Sequence, residues 1–274
     1  MARGATQQCL HRLASNPVVY YTFHFFRWLP VVFITAVVCW SYYAYVIELC
    51  LFTVNYHLER ILYIIGYHVL LVLFLWSYYM TIFAPIGRPS ASFYPPSEVV
   101  REIDCSTSPT EVRAILERFV RQTSLPVTMR AFDGAIRYCE KCHCIKPDRC
   151  HHCSVCGHCI LKFDHHCPWV NTCVNFRNYK FFIQFLGYAL LFCLWAFVTD
   201  IQYFVWFWSH GLKNTEGSGK FHIMFMFFVA GMFAVSVSTL FFYHLWLTSR
   251  NRSTIESFRD PMFTYGPDKN LASI

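Results

Sequence analysis

The chain has 274 residues, of which 55% are hydrophobic, 19% aromatic and only 14% charged. That is too apolar for an ordinary soluble domain and indicates a membrane protein. The formal net charge of +7 comes from Lys and Arg placed around apolar runs, a pattern of membrane orientation, and no nucleic-acid partner is expected.

Four apolar runs, near residues 31–51, 61–84, 181–208 and 221–247, are each long enough to cross a hydrocarbon core about 30 Å thick, which takes roughly 20 helical residues. The first follows another apolar stretch, "PVVYYTFHFF", from which Arg27 separates it. No small-residue cleavage site follows promptly, so a retained span is expected and not a signal peptide. The fold class expected is an α-helical membrane protein: four transmembrane helices, with a small cysteine-rich, two-zinc domain between the second and third. Residues 1–84 would hold the N-terminus and the first two spans, 85–180 the cysteine-rich domain with its linker, 181–247 the last two spans and 248–274 a C-terminal segment.

Lys and Arg accumulate on the cytoplasmic side of spans. Three (Arg3, Arg12, Arg27) precede the first span, thirteen lie between Arg88 and Lys180, and four follow the last, against three (Arg60, Lys213, Lys220) in the opposite loops. Both termini and the central segment are therefore expected in the cytosol.

The central segment leaves the membrane through the Pro-rich "APIGRPSASFYPPS". In "SPTEVRAILERFV", Ser108, Pro109 and Glu111 resemble a capping box with Pro at the first helical position. Val112, Ile115, Leu116, Phe119 and Val120 then repeat at helical spacing, predicting a short amphipathic helix that packs on the neighbouring domain or lies on the membrane surface.

Between Cys139 and Cys173 lie nine of the fourteen cysteines and six of the thirteen histidines. In a reducing compartment such density argues for metal over disulfides. "CEKC" and "CSVC" have the two-residue gap that lets both sulfurs of a tight turn reach one zinc. Fifteen Cys and His are available where two closed tetrahedral sites need eight ligands, so spacing leaves several assignments open and some side chains spare.

The stretch "RYCEKCHCIKPDRCHHCSVCGHCILKFDHHCPWVNTCVNFRNYKFF" resembles the cysteine-rich domain of the DHHC protein S-acyltransferases. The likeness extends to the flanking spans and to "STIE", similar to the family's Thr-Thr-x-Glu motif, and is greatest to the subgroup with the human DHHC15 and DHHC20 enzymes. The resemblance implies one zinc on Cys139, Cys142, His152 and Cys159 and a second on Cys153, Cys156, His166 and Cys173. Each set has no position open for water, which marks both zincs as structural. Asp164, His165 and Cys167 stay outside the ligand sets. His165 would then take the thiol proton of Cys167, and Asp164 would hold the other ring nitrogen.

What the resemblance implies is transfer of a long-chain acyl group, mainly palmitoyl, from acyl-CoA to Cys167 and then to membrane-proximal cysteines of target proteins. Golgi or plasma membrane is the expected location. Arg137, Lys146, Arg149 and Lys162 are candidates for the CoA phosphates or for anionic lipid. Cys144 and Cys150, outside the ligand pattern, are expected to be packing residues or else sites of adventitious autoacylation. Thr254 is expected to orient Asp164 or its neighbours, with loop capping the alternative, while Glu256 supports the same motif and Asn270 matches a short motif beyond it. A bound sixteen-carbon chain, roughly 20 Å long in a core of about 30 Å, would reach about 13 residues along a span at about 1.5 Å each. That depth places Phe192 and Ser41 near the closed end of an acyl cavity. The rival reading is a membrane-anchored zinc module that binds partners without catalysis; a transporter is disfavoured because few charges lie deep in the spans.

Overall fold

The computed structural model describes residues 17–210, 219–264 and 266–267. Among them, four helices are long and apolar enough to cross a membrane. Helix α1, Pro17–Tyr42, continues into a π-helical segment, Tyr43–Thr53. Helix α2 is His57–Phe83. The other two long helices are Tyr179–His210 and Gly219–Ser249. With no water to pair backbone groups at membrane depth, a continuous helix is the only local structure such runs can take. The first helix begins well before residue 31, because Arg27 does not interrupt it: the guanidinium turns toward the small domain and donates from Nε to Asn171 Oδ1 at 3.2 Å.

Helix contacts rely on small residues where backbones approach. At Gly66 on α2, an added Cβ would lie 2.2 Å from the indole of Trp195, so α2 and the third long helix meet only because no side chain stands there. Two apolar clusters fill the bundle. One contains Ala44, Tyr45, Leu49, Tyr67, Phe192 and Ile223. The other contains Phe74, Tyr78, Phe182 and Phe185 together with Cys167 and Val170 of the small domain. The domain is thus packed into one end of the bundle, not tethered beside it.

Between α2 and the third long helix come α3, Ser97–Cys105, and α4, Pro109–Gln122. Pro109 occupies the first turn of α4, and Ser108 caps it by accepting from the Thr110 N–H at 3.3 Å; the reciprocal box expected with Glu111 is replaced by this single bond. Ile115, Leu116, Phe119 and Val120 pack with Ile103, Leu125, Val127, Ile136 and Ile145. Of the two placements expected for this amphipathic helix, packing on the domain is the one observed.

The remainder of the domain is a set of short hairpins. Strand β1 is Met129–Arg130, β2 Tyr138–Cys139 and β3 Cys144–Ile145, followed by β4 His151–Cys153, β5 His158–Ile160, β6 His165–Cys167 and β7 Thr172–Val174. The antiparallel pairs are β2 with β3, β4 with β5 and β6 with β7, and their register sets His152 opposite Cys159 and His166 opposite Cys173. The third and fourth long helices, Tyr179–His210 and Gly219–Ser249, are α5 and α6; after α6 the chain returns to the domain through the short helix α7, Thr254–Phe258. Strand β8, Met262–Phe263, then pairs antiparallel with β1, Met129 facing Phe263. The C-terminal segment is thereby sewn onto the cysteine-rich domain.

Replacing Gly66 with Ala should force the backbone of α2 away from the rigid Trp195 ring and cost about 1–3 kcal/mol, the usual range for overpacking. Thermal unfolding of detergent-purified protein checks this, and an unchanged transition would contradict the close approach.

Candidate functional site

Strand alternation divides the chemistry of the domain. On β4, His152 and Cys153 are consecutive and point to opposite faces, so one strand serves two clusters. In the first, His152 Nδ1 lies 3.6, 3.2 and 4.0 Å from the sulfurs of Cys139, Cys142 and Cys159. In the second, His166 Nδ1 lies 3.8, 3.4 and 3.4 Å from those of Cys153, Cys156 and Cys173, and the Cys156 and Cys173 sulfurs are 3.4 Å apart. In each cluster the four donor atoms are within 4.8 Å of one another and can hold a metal ion. Hydrogen bonds from Cys173 and His166 outweigh burial and push the Cys156 thiol down, toward the thiolate that a metal requires, while the same pairing pushes the Cys173 thiol up. Cys144 and Cys150 are fully buried beside Cys139 and Cys159, where they pack the first cluster.

The same alternation on β6 turns His166 into the second cluster and leaves His165 and Cys167 on the other face. Asp164 enters this strand with its N–H bonded to Val174 O at 3.0 Å. Its carboxylate, 2% exposed, accepts from His165 Nδ1 at 2.6 Å on Oδ2. It also accepts from the Thr254 N–H at 2.8 Å on Oδ1 and from Thr254 Oγ1 at 2.7 Å on Oδ2. Burial alone would raise the Asp164 pKa, but the bonds from His165 and Thr254 hold the carboxyl below its ordinary value. Burial alone would lower the His165 pKa; the hydrogen bonds to Asp164 and to Cys167 lift it to about 9. The imidazole therefore links the buried carboxylate on one side with the thiol on the other.

Cys167 and His165 stand at one end of a cavity of 470 Å³ that runs between the long helices. Its walls are almost wholly apolar and include Val38, Phe74, Phe185, Ser41, Tyr67 and Phe192. Ser41 Oγ and Tyr67 OH are hydrogen-bonded at 3.0 Å across it, and the Phe192 ring lies 4.8 Å from that of Tyr67 and 5.9 Å from that of Phe74. The space continues past Phe192 to Ala196 and Met226, so Ser41 and Phe192 line its wall without forming its last layer. Tyr67, wholly buried between them, carries no motif that would single it out among the aromatic residues of an apolar helix.

The "STIE" segment does more than supply Thr254. Ser253 caps α7 by accepting from the Glu256 N–H, while Glu256 accepts from the Ser253 N–H at 2.8 Å, a full capping box. Glu256 also receives Arg149, Nη2 to Oε2 at 2.5 Å and Nε to Oε1 at 2.7 Å, and Arg149 Nη1 reaches Asn251 Oδ1 at 3.0 Å. Arg149 is thus committed to holding the returning chain, which removes it from the four expected phosphate ligands. Arg137 and Lys146 line a polar groove of 760 Å³ with His151 and Arg259; Lys162 does not line it. Asn270 lies outside the described residues.

A family model described as DHHC palmitoyltransferase matches residues 133–261, the hairpin domain and the returning segment together. The chain is 51% identical over 247 residues to Palmitoyltransferase ZDHHC2 of Homo sapiens, covering 90% of this chain and 66% of that one. It is 51% identical over 249 residues to Palmitoyltransferase ZDHHC20-B of Danio rerio, covering 90% and 72%. It belongs to the DHHC palmitoyltransferase family. Palmitoyltransferase ZDHHC15 of Xenopus laevis is also similar, 49% identical over 243 residues that make up 89% of this chain and 71% of that protein. This DHHC chain spans 66% of the length of ZDHHC2.

Arg149 and Glu256 side chains are 17% and 3% exposed. Arg149→Met in this DHHC protein should strand the Glu256 carboxylate and destabilise the returning segment by roughly 3–5 kcal/mol. Limited proteolysis after residue 249 would read this as faster cleavage. Adding Glu256→Leu should restore much of the protection; equal loss in single and double variants would refute the ion pair's role.

Proposed function

We propose that this chain is a protein-cysteine S-acyltransferase that carries a long-chain acyl group, mainly palmitoyl, from acyl-CoA through Cys167 to cysteines of target proteins. The observation that carries this reading is the meeting of two things at one point: the Asp164, His165 and Cys167 relay opens directly into an apolar cavity between membrane-type helices. A partner-binding zinc module needs neither feature.

Two structural Zn²⁺ ions fit the two clusters. With Zn–S near 2.3 Å and Zn–N near 2.0–2.1 Å, tetrahedral geometry separates sulfur from nitrogen by about 3.6 Å. The observed separations of 3.2–4.0 Å and 3.4–3.8 Å bracket that figure. Cys139, Cys142, His152 and Cys159 would hold one ion and Cys153, Cys156, His166 and Cys173 the other. Three thiolates and one imidazole close each site, so zinc supplies shape and no reacting water.

The reacting groups are then Asp164, His165 and Cys167. Asp164 fixes the ring with Nδ1 toward itself, and Nε2 takes the Cys167 proton. The Cys167 sulfur forms a bond to the acyl carbon while the bond to the CoA sulfur breaks, and His165 returns the proton to the departing CoA thiolate. A target cysteine repeats the exchange in reverse order. Thioester replaces thioester in both steps, so no nucleotide hydrolysis is required. Thr254 positions Asp164 through two hydrogen bonds, and Glu256 positions Thr254 through the cap. The acyl chain would occupy the cavity past Ser41 and Phe192. The CoA phosphates would lie toward Arg137, Lys146 and His151, in the groove walled on its far side by Ile255 and Glu256 next to Thr254. Lys and Arg asymmetry supports a site facing the cytosol; the family resemblance supports Golgi or plasma membrane as its location and substrates whose cysteines lie close to the membrane face.

Loss of a metal ligand and loss of the nucleophile should differ. Cys139→Ala or Cys153→Ala should release an equivalent of zinc and unfold the domain. Cys167→Ala should keep both zincs and abolish the hydroxylamine-labile adduct formed with palmitoyl-CoA, while His165→Ala should keep zinc and slow adduct formation about 100-fold to 10,000-fold. Metal analysis and intact-mass spectrometry decide it, and a zinc equivalent missing from Cys167→Ala would reassign that thiol as a ligand.

Chain length provides a separate check. Phe192→Ala should widen the passage toward Ala196 and shift competition among acyl-CoAs toward chains longer than palmitoyl, whereas Ser41→Phe should shift it toward shorter ones. An unchanged profile in both variants, with zinc retained, would place the acyl chain elsewhere.

A further inference from the structure

His244 lies near the C-terminal end of α6, among mostly apolar neighbours, and is 3% exposed. It is not needed for the relay described above. Yet its ring stands 5.8 Å from that of His165, and donor atoms of Asp164, His165 and His244 lie within 4.8 Å of one another. The Tyr179 hydroxyl hydrogen-bonds His244 Nδ1 at 3.1 Å. Donation from His244 Nδ1–H to the Tyr179 oxygen would fix the ring and leave Nε2 to ligate, as second-sphere partners do for metal-binding histidines.

We propose that Asp164, His165 and His244 form a third, inhibitory site for a divalent cation of zinc type, distinct from the two closed clusters. Two imidazoles and one carboxylate are donors that suit Zn²⁺, and three protein ligands leave a position for water, unlike the sulfur-rich sets. Asp164 Oδ2 and His165 Nδ1 are hydrogen-bonded at 2.6 Å. A cation bound at Nδ1 displaces the proton there, the neutral ring takes that proton up at Nε2, and the N···O gap opens to about 3.3 Å, as two ligands about 2.0–2.1 Å from a tetrahedral zinc require. Asp164 keeps its two bonds from Thr254, since a carboxylate has about four lone-pair positions. With Nε2 protonated, the ring has no lone pair for the Cys167 thiol. Free zinc would thus switch off acylation by holding the imidazole in the tautomer that cannot act as a base. The inhibition rests on the acyltransferase reading; the binding of a third ion does not.

The test uses the full chain in detergent, dialysed against buffered micromolar free zinc, with Co²⁺ as a spectroscopic substitute. Wild type should bind a third equivalent beyond the two tightly held ones, and that equivalent should show the absorption of a nitrogen- and oxygen-ligated Co²⁺ with no thiolate charge-transfer band. His244→Gln should lose the third equivalent and keep two. Tyr179→Phe, which touches neither cluster, should weaken it roughly 10- to 100-fold. In parallel, zinc should slow palmitoyl-CoA adduct formation at Cys167, each rate being referred to the same variant's zinc-free rate, and the inhibition constant should rise in Tyr179→Phe by the same factor as the binding constant. Two equivalents only in wild type would overturn the proposal, as would equal inhibition in wild type and Tyr179→Phe. Loss of the third ion in Cys167→Ser with retention in His244→Gln would also overturn it, by placing the ion on the thiol. Absence of any adduct in zinc-free wild type would instead count against the acyltransferase reading, and the metal stoichiometry would still decide the site.

Discussion

Asp164 is a carboxylate that is almost fully buried, and much of the surrounding architecture exists to keep it charged and oriented. Taking an ionised carboxylate out of water is costly unless several donors replace the lost solvent. Here the replacements are the Thr254 N–H, the Thr254 hydroxyl and the His165 imidazole. Two of the three come from a segment 90 residues further along the chain, so the relay cannot be complete until the C-terminal segment has returned. The return is secured three times over: by the capping box of Ser253 and Glu256, by the Arg149 ion pair with Glu256, and by the pairing of β8 with β1.

The hairpins provide the other half of that constraint. Strands of two or three residues do not persist by themselves in water, and these have little apolar interior of their own. What they do have is a pair of Cys and His clusters, each joining a hairpin to the turn before it. Once His166 is fixed in the second cluster, the period-two alternation of a strand fixes its neighbours as well. His165 and Cys167 must then face the bundle, where the Cys167 side chain joins the apolar cluster of Phe74, Tyr78, Phe182 and Phe185. Metal ligation, when present, would therefore aim the thiol without touching it.

Docking of the domain into the bundle makes the cavity usable. Tyr78 donates to Trp169 O at 2.8 Å and Asn178 Nδ2 to Thr81 O at 3.1 Å. These bonds join two segments that follow Cys167 to α2. Asn175 and Asn178, both fully buried, further tie the end of the hairpins to the start of α5. The thiol consequently sits at the boundary between a polar domain and an apolar interior, the position an acyl group with a charged carrier would have to straddle.

Much of this was legible in the residues. Hydropathy located all four long helices, because an apolar run of that length has few other stable fates. The cysteine and histidine spacings, read with the family resemblance, named the two clusters that the hairpins assemble, since two-residue gaps and cross-strand pairing are local geometry. The resemblance also pointed to Thr254 as a partner of Asp164. What the sequence could not decide was set by contacts between distant segments. Arg149 looked like a phosphate ligand until Glu256 was found beside it; Arg27 looked like a break until Asn171 was found to accept from it. The depth count reached Ser41 and Phe192, but not Tyr67 between them or the space continuing to Ala196, because a count along one helix says nothing about which side chains a neighbouring helix inserts. His244 belongs to no sequence motif, and only the packing of α6 against β6 brings it to Asp164 and His165. Local periodicity and ligand spacing are written into the chain; the pairing of charges and rings across 90 or more residues appears only when the helices and the domain close on each other.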